Sequence, residues 1–335
     1  MVPLARTPAQ RPGSDDAAAR PTAVVTASDI DHAAAYSRAV KGAEVAPVQI
    51  GPAVTSTRIE TVEIDDLVAT SGSIGIPMAT DGISSENGVT FAQFTSLPTD
   101  RTRWCEIPIE LGASVVYGPG SLHAGIDRPG LGFTFVVVPM DTLQAVATRL
   151  GLEPQIPKAG EVRSIPLSPP TRAVSAAYAD LRLIDEQPEP GSYPVAQDVT
   201  AAIARALCSD DDRSQLNGVG TRINSRRVVA DCIDYANAID RIPSVAELCL
   251  VAHVSERRLR QAFNDEFEMP PTRYFRLWAL TQANRRLRRA VTTDETVTNV
   301  AARLGFFHLG RFSGHYKRVY GEPPSATLKA DLSAG

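Results

Sequence analysis

Residues 245–324 write one short pattern twice, and this repeat constrains the possible folds of the chain more than any other feature. The first copy carries Val245, Leu248, Val254, Ser255, Leu259, Phe263, Phe267, Pro270 and Pro271. The second carries Val297, Val300, Phe306, Phe312, Tyr316, Tyr320, Pro323 and Pro324. The offset is 52 at Val245/Val297 and Val254/Phe306, and 53 from Leu259/Phe312 to Pro271/Pro324. One insertion, at the start of the second helix of the unit, accounts for the change.

Each copy predicts helix, tight turn, helix. Val245, Leu248, Val251 and Ala252 recur at helical spacing. Gly305 supplies the turn of the second copy without steric cost, whereas His253 stands at the same place in the first, a less comfortable residue there. Ser255 is a good N-cap for the second helix, with Arg258 at the capping-box position. That helix would bury Leu259, Phe263 and Phe267. At about 100° per residue, Arg257 and Gln261 then face away, flanked by Arg258, Arg260 and Asn264. A helix with an apolar back and an Arg/Gln front suits the major groove, where Arg bridges two acceptors of guanine and Gln pairs with adenine. One such copy is equally compatible with a plain helical hairpin bearing a solvated Arg face. Two copies joined by a basic helix shift the balance toward DNA. The joining helix spans roughly 271–290, with an apolar stripe of Tyr274, Leu277, Leu280 (or Trp278), Ala283 and Leu287. Arg273, Arg276, Arg285, Arg286, Arg288 and Arg289 lie along it, with no acid between Pro271 and Thr293.

Residues from about Asn224 to Leu328 resemble the DNA-binding domain of the AraC/XylS family of bacterial transcription regulators. The resemblance rests on Ser255-x-x-x-Leu259-x-x-x-Phe263, on Tyr274, Leu280, Ala283 and Leu287, and on Val300-Ala301-x-x-Leu304-Gly305-Phe306. Phe312, Tyr316, Tyr320-Gly321 and Pro324-Ser325 complete it. It implies seven helices, two helix-turn-helix units, and a rigid linking helix that sets both recognition helices on one face of double-stranded DNA. It also implies RNA polymerase as a partner and activation more often than repression, and with no metal cluster, nucleophile elbow or phosphate loop in the sequence no enzymatic activity is expected. Two departures stand out. Trp278-Ala279 occupy a place where the family usually has an Arg. The second recognition helix reads Leu309-Gly310-Arg311-Phe312-Ser313-Gly314, so that Gly310 and Gly314 lie at the centre of its exposed face. Glycine reads no base edge and costs about 1 kcal/mol of helix stability relative to alanine. The second unit is therefore expected mainly to position the domain, with Arg311, Ser313, Lys317 and Arg318 on phosphates, while the first supplies most base readout.

Charge agrees with this division. Residues 221–330 hold 18 Lys and Arg against 11 Asp and Glu, a net +7, and the remainder is −11 within a total of −4. A basic segment attached to an acidic one fits a nucleic-acid-binding module joined to something else. The four cysteines have no zinc or CxxC spacing, which suits free thiols in a reducing compartment. No secretory leader is evident, and Leu131–Met140 is too short to span a bilayer. A cytoplasmic, nucleoid-associated protein with no membrane association is expected.

The first 25 residues, rich in Pro, Ala and Arg, predict a disordered tail, and Ser28–Val40 a short helix capped by Ser28. Strands are expected over Arg58–Val68, Val89–Ser96, Arg103–Leu111, Ser114–Tyr117 and Gly132–Val138. Turns are expected at Thr80-Asp81-Gly82, Pro98-Thr99-Asp100, Gly118-Pro119-Gly120 and Arg128-Pro129-Gly130. Pro108 argues for an edge strand. The layout predicts an α+β chain: a small β-barrel or sandwich domain with helices over 26–208, which the resemblance implies is cupin-like, a linker over 209–220, and an all-α domain over 221–330. Three helices follow the strands, over 141–150 (capped by Asp141), 171–184 and 194–207. The alanine-rich last two are expected to pair as a helical hairpin, which the resemblance implies dimerises and which is equally compatible with packing against its own barrel. Asn224 is expected to cap the opening helix of the DNA-binding domain.

His123 is a lone histidine among the strands, so no metal and no cofactor is assigned. The resemblance implies that the N-terminal domain binds a small-molecule effector or forms a homodimer. The alternatives are an effector-free dimeric regulator and, more remotely, a cupin-like enzyme with a DNA-binding tail.

Overall fold

A computed structural model describes residues 23–30, 32–64, 66–98, 103–104, 107–181, 192–208, 219–289 and 295–332. The expected tail lies outside them up to residue 22, and the expected linker up to residue 218. The fold is α+β: a strand-rich N-terminal half with three helices on one side, then a helical C-terminal half.

All strand pairings among the described residues are antiparallel. The larger sheet contains β1 (Ala23–Ile30), β3 (Thr57–Ile64), β4 (Leu67–Ser73), β6 (Gly88–Ser96), β9 (Ser114–Tyr117), β11 (Gly132–Pro139) and β12 (Val162–Ile165), in the order β1-β3-β4-β11-β6-β9-β12. The smaller contains β2 (Ala43–Gln49), β5 (Met78–Ser84), β7 (Arg103–Trp104), β8 (Ile107–Pro108) and β10 (Leu122–Asp127), in the order β2-β5-β10-β7-β8. The expected small barrel or sandwich takes the form of two sheets. Ile59, Phe94, Val115 and Phe133 of the larger sheet meet Met78 of the smaller in one core, joined by Tyr36 and Val40 at α1 (Ala33–Ala39).

Helices α2 (Met140–Leu150), α3 (Pro169–Leu181) and α4 (Ser192–Leu207) cover the outer face of the larger sheet. Leu143, Val174, Leu181, Val199, Ile203 and Leu207 pack there against Val62, Phe91 and Val136. The α3–α4 pair is therefore buried on its own sheet. The outer face of the smaller sheet meets the helical half: Val48, Ala79 and Ala124 are buried within the C-terminal core.

Several local expectations are corrected. Ala23–Ile30 is a strand paired with β3 from Ala23↔Ile64 to Ile30↔Thr57, so Ser28 lies in a strand and His32, not Ser28, caps α1 through Nδ1. Thr80-Asp81-Gly82 runs through β5 because Gly82 packs under the Glu44 carbonyl of β2, an approach a Cβ would block. Arg58–Val68 breaks into β3 and β4. Asp141 sits inside the first turn of α2, whose N-cap is Pro139. Asn224 lies within α5 (Val219–Ile239), since a good cap residue is a preference and not a stop. Pro108 does lie on the edge strand, and Gly151 ends α2 in the left-handed conformation, φ 64°.

Candidate nucleic-acid interface

The helical half contains seven helices among the described residues, α5 followed by α6 (Val245–Val251), α7 (Glu256–Phe267), α8 (Pro271–Arg289), α9 (Val297–Arg303), α10 (Leu309–Tyr320) and α11 (Pro324–Leu332). Each repeated unit is a short helix, a turn and a 12-residue helix. The turns need a left-handed residue: His253 has φ 51° and Gly305 φ 90°. Ser244 and Glu247 form a capping box on α6, with Arg241 fastened to Glu247 at 2.6 Å. These donors hold the Glu247 carboxyl well below the usual range. Ser255 caps α7 by accepting from the Arg258 amide. The inserted residue lies in the second connection, Leu304–His308 against Ala252–Ser255, and His308 caps α10 with no side-chain bond.

Both long helices bury one face. Leu259, Phe263 and Phe267 of α7 are fully buried, and Phe267 stacks on Tyr274 of α8 with ring centroids 4.6 Å apart. Phe312 and Tyr316 of α10 are equally buried. The Asn284 amide of α8 donates to the Tyr316 hydroxyl at 2.8 Å, which donates to Thr327 Oγ1 of α11 at 2.9 Å. Helix α8 is enclosed on nearly every side, from Tyr274 to Leu287. Trp278 is buried, and its Nε1 donates to Asn237 Oδ1 of α5. An Arg at that place would lose its water, which gives the family departure a packing reason.

The opposite faces are polar and open. On α7, Arg257, Arg260, Gln261 and Asn264 are exposed. Arg257 makes no hydrogen bond or ion pair to any described residue, whereas Arg260 pairs with Glu256 one turn earlier. Arg258 points inward instead: it is half-buried and donates to Ser225 Oγ at 2.9 Å. On α10, Leu309, Gly310, Arg311, Gly314, Lys317 and Arg318 are exposed and Ser313 is half-buried. A Cβ at Gly310 or Gly314 would meet open space. His315 is held below its ordinary pKa by burial and by Arg276, Arg318 and Arg311, so α8 and α10 bring their cations together. Among the linking-helix arginines, Arg273, Arg276 and Arg289 are exposed, while Arg286 is ion-paired to Asp240. The structure also exposes Phe307 at 87 %. Sequence reasoning passed over it; the insertion beside Phe306 was the available signal.

A second feature lies between the sheets. A small cavity is lined by Tyr36, Phe94, Trp104, Phe133, His123 and Asp127 among others. His123 lies on β10, stacked on Trp104 with centroids 6.2 Å apart, and burial together with Arg226 lowers its pKa to about 4. It is half-buried, lines the cavity and is neutral at pH 7. Asp127 accepts from Thr80 Oγ1 at 2.6 Å, and burial raises its carboxyl to about 7. Among the described residues, no three His, Cys, Asp or Glu side chains come together as a metal site, and no helix is long and apolar enough to cross a membrane. Cys208, Cys232 and Cys249 are free, and burial pushes the Cys232 thiol up to about 12.

Residues 248–330 match a family profile described as a helix-turn-helix domain. A stretch of the chain is 35% identical over 103 residues to the probable thc operon regulatory protein of Rhodococcus erythropolis, covering 30% of this chain and 31% of that protein. The C-terminal domain is of the AraC/XylS type. The chain is also 34% identical over 90 residues to XylDLEGF operon transcriptional activator 2 of Pseudomonas putida, covering 27% of this chain and 57% of that protein. The chain thus spans about a third of the length of the first relative and just over half of the second. Among solved structures, a probable AraC family transcriptional regulator from Rhodopseudomonas palustris matches 31% of this chain and 96% of its own length, at 29% identity and a TM-score of 0.28. In this AraC/XylS-type domain both helix-turn-helix units are complete, and α8 packs against each.

Proposed function

We propose that the chain is a sequence-specific DNA-binding transcription regulator whose two recognition helices, α7 and α10, enter successive major grooves on one DNA face. The observation that carries this is the pairing of two exposed polar faces whose backs are buried in one continuous core around α8. In this reading Arg257, Gln261 and Asn264 read base edges, with Arg260 at the rim. Arg258 supports the helix from behind, through Ser225. On α10, Arg311, Ser313, Lys317 and Arg318 contact phosphates. Gly310 and Gly314 let the backbone lie close to the duplex, with Leu309 and Phe307 beside them as apolar contacts for thymine methyl groups. Arg273 and Arg276 add salt-dependent affinity.

The domains are read as 26–208 for sensing or dimerisation, 209–220 as linker and 221–330 for DNA. The Pseudomonas putida relatives are named as operon activators, which supports activation through RNA polymerase. The cavity between the sheets supports a small-molecule effector, its aromatic walls matching an apolar ligand and Asp127 one polar group. The reading leaves the chain no catalytic role and places it in the cytoplasm.

Binding-site profiling of the wild type, Arg257→Ala and Arg311→Ala at one fixed salt concentration tests the assignment. Arg257→Ala should relax the preference at one or two positions, and Arg311→Ala should weaken all sequences alike. Strong base preference lost with Arg311→Ala, or unchanged preference with Arg257→Ala, would reverse the roles given to the two helices.

A further inference from the structure

The N-terminal domain touches both recognition helices at their C-terminal ends. At α7 the contact is Arg128, just after β10, which pairs with Glu268, the C-cap residue, at 2.6 Å. Both side chains are exposed, 43% and 59%, so water and salt screen the pair and it fixes little.

At α10 the contact is of another kind. Gln49, the last residue of β2, is 1% exposed. Its Nε2 donates to the carbonyl of Val319, in the last turn of α10, at 3.2 Å, and to the Gly51 carbonyl at 3.0 Å. Its Oε1 accepts from the Ala33 amide at 3.3 Å, at the first residue of α1. Its own amide donates to Thr281 Oγ1 of α8 at 3.1 Å, and that hydroxyl oxygen also accepts from Tyr320 at 3.4 Å. One buried side chain and its amide therefore tie a sheet, the linking helix and the second recognition helix together. A buried primary amide with both polar ends bonded holds its geometry, because any shift leaves a donor or acceptor unpaired away from water.

We infer that Gln49 is a positioning residue that braces α10 against the N-terminal domain, so that this domain helps set the separation and phase of the two DNA blocks the chain accepts. The inference rests on the two-headed reading above. Helix α8 links the units and holds α10 along one side, through the Asn284–Tyr316 bond and the packing of Phe312. The Gln49 bonds close the triangle. One base pair of spacer changes the separation by about 3.4 Å and the phase by about a tenth of a turn, more than a bonded amide can follow.

The test uses the full chain and duplexes carrying both blocks, with the spacer varied in single base pairs, beside duplexes carrying one block. The wild type should show one spacing optimum, with affinity at least about tenfold weaker two base pairs away. Gln49→Met keeps the side-chain length but removes every polar atom. Gln49→Glu keeps an acceptor for Ala33 and removes the donor to Val319. In both variants the spacing preference should flatten to within about threefold, with one-block affinity and the thermal midpoint reporting that the fold persists. Arg128→Ala should leave the optimum sharp. A wild type that tolerates all spacings, or a glutamate variant as selective as the wild type, overturns the brace. A wild type that binds neither one-block nor two-block DNA overturns the DNA-binding reading itself.

Discussion

Removing one oxygen from the buried junction of the second unit tests how rigidly α10 is held. Tyr316 is fully buried, between Asn284, 1% exposed, and Thr327, 2% exposed. Burial pushes its phenol up to about 12, so it stays neutral and works as donor and acceptor at once. In Tyr316→Phe the ring and its packing against Phe312 and Tyr320 remain. The hydroxyl that satisfies Asn284 Nδ2 does not, and Asn284 Oδ1 already lacks a protein partner. Thr327 loses the bond it accepts but keeps the one it donates to Glu322. An unpaired buried donor costs about 1–3 kcal/mol, and the freed acceptor adds less, so the loss should be about 2–3 kcal/mol. Equilibrium urea denaturation of the full chain, followed in parallel by circular dichroism and tryptophan fluorescence, measures it where the two probes coincide. Arg311→Ala on the exposed face of the same helix is the control and should stay within about 0.5 kcal/mol. A loss below about 0.5 kcal/mol for Tyr316→Phe would mean that the network contributes nothing and that packing alone seats α10.

Three further outcomes are expected. Arg257→Ala should cost about 1–3 kcal/mol on the preferred DNA and nearly nothing on random DNA, measured by competition binding; equal losses on both would make Arg257 a phosphate contact. Gly314→Ala should raise helix stability by about 1 kcal/mol, since its Cβ meets open space, while weakening two-block DNA binding; unchanged DNA affinity would remove the close approach proposed for this face. Asp127 has a folded pKa of about 7 against an ordinary 3.8, so between about pH 4 and 7 the unfolded chain ionises it and the folded chain does not. Its contribution to stability is therefore lost as pH rises through that window. Asp81, also raised to about 7, adds to the trend, and His123, lowered to about 4, opposes it. The thermal midpoint of Asp127→Asn should therefore gain on the wild type from pH 5 to pH 8; a constant difference would place Asp127 in contact with water.

The helical half was legible because its signals are local. Leu259, Phe263 and Phe267 recur at helical spacing, Ser255 caps, and Gly305 turns, each decided within a few residues. The strands were less legible because their partners lie far away in sequence. Thr80-Asp81-Gly82 carries turn residues, yet β2 and β10 enclose it as a strand. Ser28 looked like a cap until β3 supplied a partner for its backbone. Helical phase alone puts Arg258 on the flank of the DNA side, and only the position of Ser225 on α5 turns it inward. Gln49 gave no sign at all: its partners at Thr281 and Val319 are brought to it only by the docking of the two halves.

The central claim is that two recognition helices read two blocks of DNA together. Selection of genomic fragments by the full-length protein at physiological salt, with sequencing of what is retained, tests it most directly. The account predicts a motif of two blocks about one helical turn apart, the stronger base preference lying in the block read by α7. Retention without any motif would contradict it, and would reduce the arginine-rich faces to nonspecific affinity for phosphate.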